Sequence, residues 1–139
     1  MAEGSAHISE RCLYTQLENG IHLFVLKQAN QQALDECFEQ VAILYRSASP
    51  ETPLRLIIDL RAVDLPPLLR VAFHVVRLKR LTTARQPRKI AFVYSEESRA
   101  STLHHGISWV LQPRRYKVRF FPHTQWEMAN EWLLEAAPN

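Results

Sequence analysis

Residues 55–67 read RLIIDLRAVDLPP, and this stretch decides the fold class of the chain. Leu56, Ile57 and Ile58 form an apolar run that does not alternate with polar residues. Strands that are covered on both faces, as parallel strands usually are, show such runs. The stretch therefore predicts a central strand of a layered domain, with Asp59 at its carboxyl end and two prolines that open the next helix.

Four further strands are predicted around this one. Residues 11–17 and 21–27 flank an Asn-Gly pair, which is typical of the tight turn of an antiparallel hairpin. The segment KIAFVYS at 89–95 reads as a second buried strand, and YKVRFFP at 116–122 alternates like a strand near an edge. The sequence therefore predicts five strands in all.

Helices are predicted between the strands, where apolar residues recur every three or four positions. The first follows the hairpin, and its apolar stripe comprises Leu34, Cys37, Phe38, Val41 and Tyr45. The others cover about 68–82, 96–112 and 124–137, the last opening on a capping box of Thr124 and Glu127. The order ββαβαβαβα predicts the α/β class, with a single mixed, mostly parallel five-stranded sheet and about four helices.

The composition is that of one folded domain. The chain has 139 residues, of which 47% are hydrophobic and 22% charged, and its net charge is +3. We expect a flexible N-terminus over residues 1–10 and a single domain over 11–139. No apolar run reaches the length of about 18 residues that crosses a bilayer. Cys12 and Cys37 do not form a disulfide framework, which favours a reducing, cytoplasmic location.

Two motifs, LIIDLRAV at 56–63 and VRFFPHTQWEMANEWL at 118–133, resemble those of the STAS superfamily. Together with the order of strands and helices, they are similar to its SpoIIAA-like branch over roughly residues 11–137. The superfamily includes the bacterial anti-sigma-factor antagonists. The resemblance therefore implies a non-enzymatic bacterial regulatory module that acts by binding another protein.

The resemblance ends at a position that matters for regulation. In regulatory STAS domains, the Asp-Leu-x-x-Val segment is followed by an Asp-Ser-Ser-Gly-Leu type segment whose serine is phosphorylated. Residues 64–69 of this chain read DLPPLL, with Asp64 in place but no serine, threonine or glycine. The sequence therefore predicts a module of this type that lacks the phosphorylatable serine.

A basic stripe on the predicted helix 68–82 is the candidate interaction surface. Arg70, His74 and Arg77 recur at helical spacing and so share one face. The surface is assigned to Asp59, Asp64, Arg70, His74, Arg77 and Arg80. Two alternatives stay open: the basic residues form only a solvated face, and Asp59 only bonds the loop amides that end its strand. The dense apolar residues of the same helix also predict a homodimer.

A small-ligand site is the second functional hypothesis, because relatives on this fold hold apolar or anionic ligands between helices and sheet. The ligand would be a lipid or an anionic metabolite, and the candidate pocket is lined by Phe73, Val76 and Trp109. A third hypothesis is weak nucleic-acid binding through residues 77–89. The modest net charge makes it the least favoured of the three.

The sequence contains no catalytic or metal-binding motif. It has only three glycines, so neither a Gly-x-Ser-x-Gly elbow nor a glycine-rich phosphate loop is present. His104 and His105 are adjacent and lack the spacing of a zinc-binding pair on a helix. We therefore expect no catalytic residue, no metal and no cofactor.

Overall fold

The computed structural model describes residues 7–8, 11–28, 31–49, 51, 53–61, 73–74, 76–78, 88–95 and 118–135. Its strands are β1 (His7–Ile8), β2 (Cys12–Gln16), β3 (His22–Leu26), β4 (Leu54–Asp59), β5 (Arg88–Tyr94) and β6 (Val118–Pro122). Its longer helices are α1 (Gln31–Ser47) and α2 (Trp126–Leu134), with a 3₁₀ turn at His123–Gln125 directly before α2.

All six strands form one mixed sheet in the order of the sequence, from β1 to β6. β1, β2 and β3 pair in antiparallel fashion, whereas β3, β4, β5 and β6 are parallel. This arrangement confirms the α/β class and the single mixed sheet. The five predicted strands correspond to β2 through β6. The additional strand β1 lies in the segment predicted to be flexible, and its sequence gives no strand signal.

Gly20 lets the chain turn between β2 and β3. Its φ is +88°, in the left-handed region where a residue with a β-carbon is strained. The Gly20 amide donates to the Leu17 carbonyl at 2.9 Å, and the Asn19 side chain accepts from the Ile21 amide at 3.1 Å. The predicted hairpin at the Asn-Gly pair is therefore confirmed.

Both faces of the sheet are covered, which explains the unbroken apolar run of β4. Leu56 and Ile58 belong to the core cluster that α1 covers, whereas Ile57 belongs to the cluster that α2 covers. All three side chains are fully buried. Because β4 lies between β3 and β5, the prediction of a central strand at residues 55–60 is confirmed.

The helices on the first face agree with the sequence pattern where the structure describes them. All five residues of the predicted stripe on α1 are buried. Residues 73, 74 and 76–78 are helical, and Leu78 joins the same core cluster as α1. The rest of the predicted helix 68–82 and the whole of the predicted helix 96–112 lie outside the described residues.

α2, on the second face, does not begin at the predicted capping box. Its N-cap is Gln125, which makes no side-chain cap hydrogen bond, because the 3₁₀ turn takes the place of the predicted first turn. The prediction that the helix begins at a capping box of Thr124 and Glu127 is therefore wrong. The predicted apolar side of the helix is correct, since Ala129 and Leu133 are buried against the sheet.

Basic side chains at the amino-terminal edge of the parallel strands bond the ends of both helices. Arg55 Nε donates to a carbonyl in the last turn of α2 at 2.8 Å, and Lys89 Nζ donates to the Trp132 carbonyl at 2.7 Å. Arg88 bonds the other helix, where it donates to the Tyr45 carbonyl at 3.3 Å. The last carbonyls of a helix have no partner inside the helix, so these bonds stabilise both helix ends.

Candidate functional site

A cavity opens at the carboxyl-terminal edge of the parallel strands. It has a volume of about 460 Å³ and is lined by Val25, Asp59, Arg61, Ser95 and His123. Each of these residues lies near or directly beyond the carboxyl end of β3, β4, β5 or β6. Parallel sheets commonly bind ligands at this edge, and the volume is in the usual range for small-molecule sites.

Asp59 is the buried carboxylate of the cavity, and Arg61 holds it. The Asp59 side chain is 4% exposed, whereas that of Arg61 is 49% exposed. Asp59 Oδ2 accepts from Arg61 Nη2 at 2.7 Å, and Oδ1 accepts from the Arg61 backbone amide at 2.9 Å and from Nε at 3.1 Å. Asp59 therefore ends its strand, as one alternative predicted, and at the same time fixes one edge of a guanidinium.

The Trp126 ring holds the guanidinium of Arg61 from a second direction. Arg61 Cζ lies 5.5 Å from the centroid of that ring, within the range of a cation–π contact. The hydrogen bonds to Asp59 raise the pKa of Arg61 above its ordinary value, so the side chain is always charged. Its Nη1 nitrogen has no partner among the described residues, so Arg61 offers a fixed cation with unused donors.

His123 contributes an imidazole to the lining of the cavity from the 3₁₀ turn after β6. Its Nδ1 is buried and has no hydrogen-bond partner in the described part of the chain. Burying a bare acceptor costs less than burying an unpaired N–H donor, so we assign the proton to Nε2. The Nε2–H group of His123 is then a donor that a ligand can use.

Asp59, Ser95 and His123 have the residue types of a hydrolytic triad but lack its connections. In such a triad the carboxylate accepts a hydrogen bond from the histidine Nδ1. Asp59 is bonded to Arg61 instead, and within the described residues no carboxylate reaches His123 Nδ1. The described residues therefore do not connect these three side chains as a triad.

The described part of the predicted basic stripe faces α1. His74 is 4% exposed, its Nε2 lies 2.7 Å from Asp35 Oδ1, and its ring stacks on Phe38 with centroids 4.8 Å apart. Arg77 pairs with Glu39 on the same helix at 3.0 Å. His74 is therefore buried against α1, and the assignment of the interaction surface on this helix stays a prediction.

The other predicted site residues lie away from the cavity or outside the described residues. Phe73 is 54% exposed, and Val76 packs against the core cluster of α1. Neither lines the cavity at the carboxyl edge. The structure does not describe Asp64, Arg70, Arg80 and Trp109.

A second cavity lies between the hairpin and α1 and is mainly apolar. Its volume is about 140 Å³, and it is lined by Tyr14, Phe24, Gln40, Ile43, Leu44 and Ser47. This volume is below the usual range for small-molecule sites. It therefore gives little support to the lipid form of the ligand hypothesis.

Four residues at this site were not predicted from the sequence: Arg61, Ser95 and His123 in the lining, and Trp126 beside Arg61. A signal for the first three was present, because Arg61 and His123 directly follow predicted parallel strands and Ser95 is the last residue of another. Since the carboxyl ends of parallel strands meet at one edge, the polar residues after each strand are expected to lie close together. The stacking of Trp126 on Arg61 depends on the docking of α2 and has no such signal.

No metal centre and no membrane-spanning helix occur in the part of the chain that the structure describes. Its His, Cys, Asp and Glu side chains do not gather in groups of three that suit a metal ion. None of its helices combines the length and the apolar character that crossing a bilayer requires. Comparisons of the chain with protein-family models, with curated proteins and with solved structures found no match, so the STAS likeness is one of pattern alone.

Proposed function

We propose that the protein is a non-enzymatic binding module that recognises the carboxylate or phosphate group of a small molecule at its carboxyl-edge cavity. One observation carries the proposal: the guanidinium of Arg61 is fixed by the buried Asp59, yet its side chain is 49% exposed at the cavity. An arginine that is already held in place loses little side-chain entropy when it binds an anion.

The bond to Asp59 leaves Arg61 able to bind a second anion. Asp59 occupies the edge of the guanidinium that carries Nε and one hydrogen of Nη2. A guanidinium has five N–H donors in a planar fork, so Nη1 and the second Nη2 hydrogen suit two oxygens of a carboxylate or phosphate. Because Asp59 offsets part of the charge, we expect recognition by hydrogen-bond geometry and a moderate affinity.

Two further residues of the lining support an anionic ligand. His123 offers Nε2–H, and Ser95 is a further polar residue in the lining of the same cavity. Together with Arg61, they come from the ends of three neighbouring strands, β4, β5 and β6. Val25 adds an apolar wall from β3, so a molecule with one anionic group and an apolar part fits the lining best.

The STAS-like pattern supplies a regulatory context for this binding. The segment DLPPLL at 64–69 lacks the serine that is phosphorylated in regulatory members of that superfamily. We propose that ligand occupancy, in place of phosphorylation, controls how the domain binds its partner protein.

Isothermal titration calorimetry at low salt tests the ligand proposal, with inorganic phosphate, citrate and adenosine monophosphate as probes. We expect at least one probe to bind the wild type. The loss of charge-assisted hydrogen bonds in Arg61→Gln removes about 1.5–3 kcal/mol, so its dissociation constant rises about 10- to 150-fold.

Arg77→Gln is the matched control for that experiment. It removes an arginine that also pairs with a carboxylate, but Arg77 contacts α1 and does not line the cavity. Its dissociation constant should equal that of the wild type. The proposal is wrong if no probe binds the wild type, or if Arg61→Gln binds as tightly as Arg77→Gln does.

An exposed aromatic favours a second candidate function, the docking of a partner protein or a second copy of the chain. Phe73 is 54% exposed on the predicted helix 68–82, to which the sequence analysis assigned the interaction surface. Large exposed aromatics are enriched at interfaces. Phe73→Ser should lose a specific partner from an extract of the source cells or shift the mass measured by light scattering. Ile43→Ser, at an equally exposed position on α1, should do neither.

A further inference from the structure

The second cavity, between the hairpin and α1, has the size of a single ring. Its volume of about 140 Å³ is too small for a lipid. An apolar protein cavity of about 150 Å³ binds benzene. Phe24 lines this cavity, whereas Val25 lines the cavity at the carboxyl edge. Successive residues of a strand face opposite sides of a sheet, so the two cavities are separate sites.

Apolar side chains form most of the walls of this second cavity. Tyr14 and Phe24 contribute aromatic rings from β2 and β3, and their ring centroids are 4.9 Å apart. Ile43 and Leu44 contribute aliphatic walls from α1. The ring of Tyr14 is held in place, because its hydroxyl lies 2.7 Å from His22 Nδ1 and hydrogen-bonds to it. An aromatic ligand therefore meets walls that are already ordered, and ring contacts add to the burial of apolar area.

Ile43 leaves apolar surface at the cavity in contact with water. It is 53% exposed, although it directly follows Val41 and Ala42, which are fully buried. A ring that fills the cavity covers part of that surface. Apolar area removed from water is the main source of affinity for an uncharged ligand of this size.

Gln40 supplies the unused polar group of the cavity. Its side chain is half-buried and forms no hydrogen bond in the part of the chain that the structure describes. The Ser47 hydroxyl, by contrast, donates to the Leu44 carbonyl at 3.2 Å. A side-chain amide has both donors and an acceptor, so it suits a ligand hydroxyl, which can donate and accept. Among the described residues no charged side chain lines the cavity, which favours a neutral ligand.

We propose that the cavity between the hairpin and α1 binds a small neutral phenol, with its ring against Tyr14 and Phe24 and its hydroxyl on the Gln40 amide. The ring fits the volume, and the hydroxyl fits the one amide that has no partner. A phenolic hydroxyl ionises near pH 10, so the ligand is neutral at pH 7. This site is independent of the carboxyl-edge cavity, which differs from it in face and in charge.

NMR titration of the isotope-labelled full-length protein tests the proposal, with millimolar phenol, benzene and cyclohexanol as probes. We expect phenol to shift the amide signals of Phe24 and Ile43 and to leave those of Arg61 and His123 unchanged. Benzene lacks the hydroxyl and cyclohexanol lacks the aromatic ring. The dissociation constant of each should therefore be about 2- to 12-fold higher than that of phenol.

Two variants separate the polar and apolar parts of the recognition. Gln40→Met removes the amide with little change in volume, so phenol and benzene should then bind equally. Ile43→Ala removes part of an apolar wall and should weaken both probes. The matched control Leu134→Ala shortens another exposed aliphatic side chain, on α2, and should weaken neither. Arg61→Gln should leave phenol binding unchanged, so a failure of the anion site is distinguished from a failure of this one.

Several results would overturn the phenol site. Phenol could shift no signal around the cavity, or benzene could bind the wild type as tightly as phenol does. Gln40→Met could keep the preference for phenol, or Ile43→Ala could bind both probes as the wild type does. Neither Gln40 nor Ile43 is a buried core residue, so both variants should fold, and the comparison of the three probes needs only the wild-type protein.

Discussion

The two ends of the parallel strands both carry basic side chains, but they use them differently. At the amino edge, Arg55, Arg88 and Lys89 donate to carbonyls at the ends of α1 and α2. At the carboxyl edge, Arg61 is held by Asp59 and remains half exposed beside a cavity. Residue type therefore does not separate a structural cation from a binding cation, whereas the partner of each cation and its exposure do.

The difference follows from the direction of the helices. A helix that packs on a parallel sheet between successive strands runs back against them, so its C-terminus reaches the amino edge. The free carbonyls at that end attract cations, whose N–H donors are then occupied by helix carbonyls and stabilise the fold. The helix ends that the structure describes bring no such carbonyls to the carboxyl edge, so the donors of Arg61 there are left for a ligand.

Substitution of Lys89 should have the largest effect on the amino edge. Lys89 Nζ donates to two carbonyls at the end of α2, at 2.7 and 3.2 Å, and lies 5.1 Å from the Trp132 ring centroid. We expect Lys89→Met to lower the free energy of unfolding by about 2–4 kcal/mol, because those carbonyls lose a charged donor. Urea denaturation measures the loss.

Lys27→Met is the control for Lys89→Met, because Lys27 is exposed at the surface. Its free energy of unfolding should stay within about 0.5 kcal/mol of the wild type. Anion binding should be unchanged in both variants. If Lys89→Met is as stable as Lys27→Met, the cations of the amino edge do not stabilise the helix ends and the contrast between the edges is lost.

Alkaline pH should have the second-largest effect on the free energy of unfolding, and it should act through Tyr45, whose carbonyl accepts from Arg88. Burial raises the pKa of Tyr45 to about 12 from the ordinary value of 10.0, despite the nearby Arg88. Above pH 10 the unfolded tyrosine loses its proton while the folded one keeps it. The stabilisation is therefore complete below pH 10 and is lost as the pH rises to about 12, a change of about 2–3 kcal/mol.

Tyr45→Phe isolates this contribution in urea denaturation at a series of pH values. The variant should lose less stability than the wild type between pH 10 and 12, and both should behave alike at pH 8. If the free energy of unfolding of both proteins falls equally between pH 10 and 12, burial does not raise the pKa of Tyr45 in the folded protein and the expectation is wrong.

Substitution of Asp59 should have the smallest effect on stability of the three changes. Asp59→Asn keeps an oxygen for the Arg61 amide but loses the charge that binds the guanidinium. Because Arg61 is half exposed, water replaces much of that bond, and we expect a loss of about 1 kcal/mol in thermal unfolding. A loss as large as that of Lys89→Met would mean that the pair serves the fold as the amino-edge cations do.

The local sequence predicted the elements whose pattern carries its own physical signal. The Asn-Gly turn, the unbroken apolar run at 56–58 and the stripe on α1 all lie where the sequence analysis expected them. The strand β1 was missed because two residues are too few to show a period. The start of α2 was misplaced because the capping-box pattern also fits a chain that first makes a 3₁₀ turn.

Of the residues that line the candidate site, only Asp59 was predicted from the sequence as a site residue. Asp59 ends an apolar strand, so the sequence marks it as unusual. The positions of Arg61 and His123 after predicted parallel strands place them at the same edge, but the sequence does not specify that Arg61 pairs with Asp59 and Trp126. The burial of His74 was not predicted either, since His74 meets Asp35 across a contact between two helical segments that no local pattern specifies.

The sequence by itself determined the α/β class, the hairpin, the buried central strand and the face that α1 turns to the core, because each depends on periods of two to four residues. Only the tertiary structure decided which cations bond helix ends and which arginine is left beside a cavity. These contacts join residues far apart in the chain, and their existence depends on how helices dock on the two faces of the sheet.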